Sequence, residues 1–265
     1  MSGTEFSGKV ILVTGGSAGI GYASVQRFME QGARVCLFDI DEEKVEKSVG
    51  ELRSRNLAEN LLAVTGDVSQ EEDVRGCFQK IYEQWGALDA VFANAGIGGT
   101  MAPIEKMKLE DWQNTMNVDL TGCFLTVKQA IPYLKKKGGS IVITSSVSGN
   151  RVFSQPGFGC YSTAKAGQAA FMKMAALELG QFGIRVNAVC PGGVETTMSE
   201  SITSDPDVKK ISMQVQFPRG HQPLMAGNAK PEQIADAVAF LFSEKAAHIT
   251  GTELYIDGGE SLLQG

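Results

Sequence analysis

Tyr161 and Lys165 stand four residues apart in the stretch "CYSTAKAGQAAFMKMAALELG". On a helix, positions so spaced share one face about 6 Å apart, so both side chains can address the same ligand. A phenol with a reference pKa of about 10 is a poor base at neutral pH. An ammonium beside it would favour the phenolate. Opposite charges about 4 Å apart at an effective dielectric of about 20 attract by roughly 4 kcal/mol before desolvation. Such a tyrosine can exchange a proton with an alcohol or carbonyl oxygen. The flanking Ala164, Ala166, Gly167, Ala169 and Ala170 suggest a buried helix, where an unpaired lysine would be costly.

A second group of residues suits a phosphate. In "VILVTGGSAGIGYASVQRFMEQG", Thr14, Gly15, Gly16, Gly19 and Gly21 lie between an apolar run and a helical segment. Glycines there let the backbone turn tightly and approach a pyrophosphate, whose charge meets free N–H groups at the helix N-terminus. The next apolar run ends in "VCLFDID", placing Asp39 18 residues beyond Gly21, where a carboxylate can accept bonds from both adenosine ribose hydroxyls. That carboxylate would repel a 2′-phosphate, and neither "GGSAGIG" nor "DIDEE" holds a Lys or Arg to neutralise one, so NAD is favoured over NADP. The plain alternatives are a strand-to-helix turn for the glycines and a helix cap for Asp39.

These residues need a frame. Apolar runs at Val10 to Val13, Val35 to Phe38, Leu61 to Val64, Leu88 to Phe92, Ile141 to Thr144, Arg185 to Val189 and Leu254 to Ile256 alternate with segments of helical period. The pattern predicts an α/β fold with about seven parallel strands covered by helices on both faces. A chain of 265 residues fits a single domain, 1–265, built on one large sheet. "GIGGTMAPIEKMKLEDW" and the long stretch from "VETTM" to "KPEQ" break the rhythm after the fourth and sixth runs. Both leave carboxyl ends of strands, where such sheets place ligands, and the second, about 195–230, is long enough for a substrate loop or lid.

Composition narrows the partners. The net charge of −6 argues against a nucleic-acid surface. The N-terminal apolar run is too short for a signal-peptide core, and no apolar stretch approaches a membrane span, so a cytoplasmic protein is expected. Five scattered cysteines without C-x-x-C spacing read as free thiols, with Cys160 singled out because it adjoins Tyr161. With two histidines in the chain, His221 and His248, neither a metal site nor a Ser-His-Asp triad is supported.

Taken in order, the motifs resemble those of the short-chain dehydrogenase/reductase family. Gly15, Gly19 and Gly21 are similar to its T-G-x-x-x-G-I-G loop, and Asp67 with Val68 to its adenine-contacting pair. "FANAG" resembles N-N-A-G, with Ala93 replacing the first asparagine. "MNVDLTG" offers Asn117 as the helix asparagine, "IVITSSVSG" offers Ser146, "YSTAK" matches Y-x-x-x-K, and "CPGGVETTM" matches P-G-x-x-x-T. The resemblance runs from about residue 6 to "TGTELYIDGG". It implies a Rossmann-type doubly wound sheet in a three-layer sandwich.

It further implies an NAD-dependent oxidoreductase interconverting a secondary alcohol and a ketone, with Tyr161 as general acid/base, Ser146 donating to the substrate oxygen, and Lys165 binding the nicotinamide ribose. Asn117 would hold a water linking Lys165 to solvent. Cofactor contacts would come from Gly15, Ser17, Gly19, Ile20, Gly21, Asp39, Ile40, Asp67, Val68, Asn94, Ala95, Gly96, Tyr161, Lys165, Pro191, Gly192, Val194 and Thr196. Ser145 is the other candidate for the serine, and Asn117 could instead be a helix-kinking side chain bonded to backbone. A non-catalytic dinucleotide sensor on the same fold is the alternative reading, against which the intact polar set argues. An enoyl reductase of the related type would want its lysine where Gln168 stands, and sugar-nucleotide epimerases a longer substrate domain. The serine-to-tyrosine separation of 15 is slightly long, so the insertion "GNRVFSQPGFGC" is expected to reshape the substrate pocket. Gly98, Gly99, Arg151, Phe153, Met198, Phe217, Arg219 and His221 are its candidate residues, with the two arginines able to bind an anionic substrate or else lying at the surface. Apolar helices around Asn117 and Tyr161 predict self-association, and the resemblance implies a homotetramer.

Overall fold

The apolar runs become strands because their β-branched residues are covered on both faces. The computed structural model describes residues 4–153, 155–212, 223–224 and 227–263. Nine strands occur among them: β1 (Val10–Thr14), β2 (Arg34–Asp39), β3 (Leu61–Thr65), β4 (Ala90–Ala93), β5 (Gly99–Met101), β6 (Gly139–Thr144), β7 (Ile184–Pro191), β8 (Ile202–Ser204) and β9 (Glu253–Ile256). Seven make one sheet in the order β3-β2-β1-β4-β6-β7-β9, with every pair parallel. All strand carboxyl ends therefore fall on one edge, and the order reverses direction beside β1 and β4. That reversal opens a crevice over the ends of these two strands.

The helices are α1 (Gly19–Glu30), α2 (Glu42–Ser54), α3 (Glu71–Trp85), α4 (Leu109–Thr115), α5 (Gly122–Leu134), α6 (Gly159–Leu179), α7 (Val208–Ile211) and α8 (Pro231–Phe242). Two apolar clusters separate them into layers. One packs Phe78, Ile81, Val127, Leu134 and Met172 of α3, α5 and α6 against the sheet. The other packs Val25, Phe28, Val45, Ile234 and Val238 of α1, α2 and α8 on the opposite face. The chain is thus a Rossmann-type, three-layer α/β sandwich.

Two features depart from the regular pattern. The segment "DWQNTMNVDLTGCFLTVKQAIPYL" is not one continuous α-helix: Met116–Thr121 forms a wide π-helical turn in which Gly122 N–H bonds Asn117 C=O. Such a turn inserts a residue into the helix and rotates the side chains around it, and it recurs at functional sites. The two rhythm-breaking segments also meet, since β5 pairs in parallel with β8 to form a small second sheet. No helix among the described residues is long and apolar enough to cross a membrane.

Candidate active site

The loop after β1 is fixed by its glycines. A Cβ on Gly21 would lie 1.9 Å from the Gly15 carbonyl oxygen, so only glycine fits the first turn of α1. Gly15 has φ +63° and Gly19 φ +51°, in the left-handed region that glycine enters without strain. Ala18, at the N-cap of α1, offers no capping side chain, and no acidic residue occupies the first turn. The first N–H groups of a well-formed helix therefore point into the crevice with a favourable dipole for an anion. A cavity of about 450 Å³ adjoins this loop between Gly19 and Thr196, lined also by Tyr22, Gln26, Glu195 and Glu232.

At the end of β2, Asp39 Oδ2 accepts from Ser17 N–H at 3.0 Å and from Ser17 Oγ at 2.6 Å. Asp39 does not cap α2; Asp41 does, accepting Lys44 N–H at 3.1 Å. Asp39 thus faces the phosphate loop, with the exposed side chain of Ile40 beside it. On the α3 side, Asp67 Oδ1 accepts from Ser69 N–H at 2.8 Å, and buried Val68 packs under Gly122.

The ends of β1, β4 and β6 are tied together by Asn94. Its amide donates to the Thr14 and Gly15 carbonyls at 3.2 and 3.3 Å, and its Oδ1 accepts from Thr144 Oγ1 at 2.9 Å. Thr14 Oγ1 accepts from Asn94 and Ala95 N–H at 3.0 and 3.1 Å. The Asn94 side chain is therefore committed within the protein as a brace between strands. Beyond β7, Gly192 N–H bonds Ile256 C=O, Gly193 N–H bonds Glu260 Oε2 at 3.2 Å, and Val194 bridges to Ala229. These contacts bring Thr196 against Gly19, where an added Cβ would meet Thr196 at 3.1 Å. The loop from Pro191 to Thr196 and the glycine loop thus close on each other across the crevice.

Tyr161 and Lys165 lie in the first turns of α6, with Lys165 Nζ 5.4 Å from the Tyr161 ring centroid. Lys165 is 1% exposed and donates to the Thr144 carbonyl at 3.1 Å. The turn after β6 packs directly on α6, since a Cβ on Gly149 would meet the Lys165 carbonyl carbon at 2.8 Å. Ser145 uses its hydroxyl on the Lys165 carbonyl at 2.8 Å, a helix-anchoring bond. Ser146 Oγ accepts from Ser148 N–H at 3.1 Å, which leaves its own proton to donate. Of the two serines, Ser146 is the one whose hydroxyl proton is not bound to α6.

Asn117 does not join this group. It is exposed, on the wide turn. Asp119 stands there instead, 0% exposed, with Oδ2 3.2 Å from Lys165 Nζ and Oδ1 accepting Ile97 N–H at 2.8 Å. Buried Gln168 donates to the Asp119 carbonyl at 2.7 Å and so pins the turn from α6. Burial pushes the Asp119 carboxyl up against the opposing pull of Lys165. Burial also works against the Lys165 charge, but Asp119 and Tyr161 outweigh it and hold the lysine above its ordinary range. The sequence signal was an acidic residue between Val118 and Leu120; matching by residue type selected Asn117, whereas the structure brings Asp119 against Lys165.

Comparison with known proteins shows the family to which this fold belongs. A family model described as Enoyl-(Acyl carrier protein) reductase matches residues 15–261. Glucose 1-dehydrogenase of Gluconobacter oxydans (strain 621H) is 37% identical over 97% of this chain and 94% of its own. The crystal structure of a 3-ketoacyl-ACP reductase from Sinorhizobium meliloti 1021 superposes with a TM-score of 0.90 at 38% identity, covering 96% of this chain and 100% of that one. The chain belongs to the short-chain dehydrogenase/reductase family. A 3-ketoacyl-(acyl-carrier-protein) reductase from Brucella melitensis, solved in complex with NADH, superposes with a TM-score of 0.84 at 29% identity over 96% of this chain and 99% of its own.

In this short-chain dehydrogenase/reductase the β5–β8 pair lies against the start of α6. Gly98 N–H donates to Ser201 Oγ at 2.9 Å, and the Thr100 and Thr203 hydroxyls meet at 2.9 Å. Met198 Sδ lies 4.0 Å from the Tyr161 hydroxyl, and the Phe158 ring sits edge-on to Tyr161 at 5.5 Å. Cys160 is fully buried beneath β5, its Sγ 3.4 Å from the Thr100 carbonyl, so it serves packing. Arg151 lies at the surface over the Tyr255 ring, 3.4 Å from its centroid, with a bond to Ser261 Oγ at 3.3 Å. Phe153 is exposed. Phe217, Arg219 and His221 lie outside the described residues.

Proposed function

We propose that this oxidoreductase interconverts a secondary alcohol and a ketone with NAD, using Tyr161 as general acid/base. The observation that carries the reading is the buried ammonium of Lys165 beside the Tyr161 ring, bonded to the Thr144 carbonyl at the carboxyl end of β6. The glycine cradle, the uncapped α1 N-terminus and Asp39 fit a dinucleotide. When bound, it supplies the hydride acceptor or donor.

The chain's own residues do the rest. In alcohol oxidation Tyr161 takes the hydroxyl proton, and Ser146 donates to the same oxygen. Lys165 favours the phenolate electrostatically and holds the ribose. Gly15, Ser17, Gly19, Ile20 and Gly21 hold the pyrophosphate end. Asp39 and Ile40 hold the adenosine ribose, and Asp67 and Val68 the adenine. Asn94, Ala95 and Gly96 support the nicotinamide half, and Pro191, Gly192, Val194 and Thr196 position its carboxamide. Asp39 supports NAD over NADP because a 2′-phosphate would face its carboxylate.

Residues 1–265 form one catalytic unit in this reading, with about 195–230 as the substrate loop. The protein works in the cytoplasm as a homotetramer. Phe124, Met174 and Leu177 support association through α5 and α6, since their side chains stay 43%, 64% and 79% exposed.

The test mixes the protein with NAD and sorbitol, glucose, cyclohexanol or a 3-hydroxysteroid and follows absorbance of the reduced cofactor. At least one alcohol should be oxidised, with kcat falling by about 10² to 10⁴ in Tyr161→Phe. Full activity in that variant would sink the mechanism. Tight NAD binding without turnover on any substrate would favour a sensor.

A further inference from the structure

Lys165 and Asp119 make a charge pair that solvent does not reach. Their side chains are 1% and 0% exposed, and Nζ and Oδ2 stand 3.2 Å apart. We propose that Asp119 is the positioning residue of this centre: its carboxylate is the counter-ion that keeps Lys165 an ammonium where it faces Tyr161. The inference rests on the reading that Tyr161 and Lys165 serve substrate and cofactor.

Two further observations support it. The hydrogen bond that Lys165 Nζ donates goes to the neutral Thr144 carbonyl at 3.1 Å, which cannot balance a buried charge. The carboxylate is also held in place from three elements. Ile97 N–H fixes Oδ1, Gln168 of α6 grips the Asp119 carbonyl, and the wide turn before α5 aims the side chain inward. The titratable groups around the pair, among the described residues, are Tyr161 on α6, Cys123 on α5 and Cys190 on β7. Burial pushes both thiols up to about 12, so they stay neutral through the physiological range. The segment after β4 and the end of β6 contribute backbone groups to the contacts of the pair, the Ile97 N–H and the Thr144 carbonyl. Asp119 is therefore the negative charge that answers Lys165 in the cofactor-free protein.

Removing that charge while keeping the shape separates this role from simple packing. In Asp119→Asn the buried lysine loses its counter-ion, and burial then makes it give up its proton at lower pH than in the wild type. For the wild type, kcat/KM for the fastest alcohol of the panel should rise with pH to a plateau. For Asp119→Asn it should become bell-shaped, falling on the alkaline side by about tenfold per pH unit while the wild type stays level. An unchanged profile of lower height would mean that Asp119 is merely structural. A rising limb moved to lower pH with no alkaline fall would mean that it screens a lysine charged without it. Either result overturns the proposal.

Urea unfolding of the cofactor-free protein gives a readout that needs no substrate. A lysine whose pKa drops on folding makes the fold gain stability as pH rises between its folded and unfolded values. The midpoint gap between wild type and Asp119→Asn should therefore narrow from pH 7 to 9.5, and a constant gap would contradict the proposal. If the wild type turns over no substrate, the functional reading fails and these midpoints still decide the counter-ion role. If Asp119→Asn does not fold, adding Lys165→Met should restore folding by removing the unpaired charge, and failure of that rescue would refute the assignment.

Discussion

The phosphate-loop end and the Tyr161 end of the proposed cofactor site are built from different materials. At the first, the ligand-facing surface is backbone: positive-φ glycines, a Gly21 with no room for a Cβ, and the uncapped start of α1. At the second, it is side-chain charge taken out of water, Lys165 against Asp119, held by Gln168 and the Thr144 carbonyl. A backbone site depends on the conformation of a few residues and tolerates no added atoms there. A buried-charge site depends on residues distant in sequence and tolerates conservative changes of shape far better than changes of charge.

The contrast is broken most directly at Gly21. Its replacement by alanine drives a methyl group into the Gly15 carbonyl, 1.9 Å away. A loss of about 3 kcal/mol in stability or roughly a hundredfold in NADH affinity should follow, read by unfolding and fluorescence titration. Wild-type affinity would mean that the loop is not the phosphate site. Next comes Asp39→Ala, which removes the carboxylate and should lower the NAD over NADP preference in kcat/KM by about tenfold or more.

At the charged end, Gln168→Leu removes the bond to the Asp119 carbonyl. We expect about 1–3 kcal/mol of lost stability in urea and a smaller drop in kcat, with KM for NAD little changed. The smallest effect belongs to Asn117→Ala, at an exposed position, which should keep stability within about 0.5 kcal/mol. Its kcat/KM should stay close to that of the wild type. A large loss of rate there would return the polar role to Asn117 and undo the case for Asp119.

The same division explains what could be read from the sequence. Strands buried on both faces read as unbroken apolar runs, so the seven-stranded sheet was legible, though β4 starts at Ala90 rather than Leu88. The glycine loop was legible because backbone sites demand one residue type at fixed spacing. Asp119 was not, because the π-helical turn shifts the helical register at Met116–Thr121, and periodicity cannot foresee an inserted residue. The β5–β8 pair was also hidden. Each strand has three residues, and the contact between Gly98 and Ser201 spans 103 positions, a pairing set by the tertiary frame rather than by local pattern.

The central claim is hydride transfer coupled to a proton taken by Tyr161. It is tested most directly by a single turnover with the fastest alcohol of the panel, carrying deuterium at its carbinol carbon. One deuterium per molecule should appear on the nicotinamide ring of the reduced cofactor, on one face alone, with the ketone formed in equal amount and Tyr161→Phe transferring little. Deuterium released to water, or transfer that proceeds undiminished in Tyr161→Phe, would contradict the account.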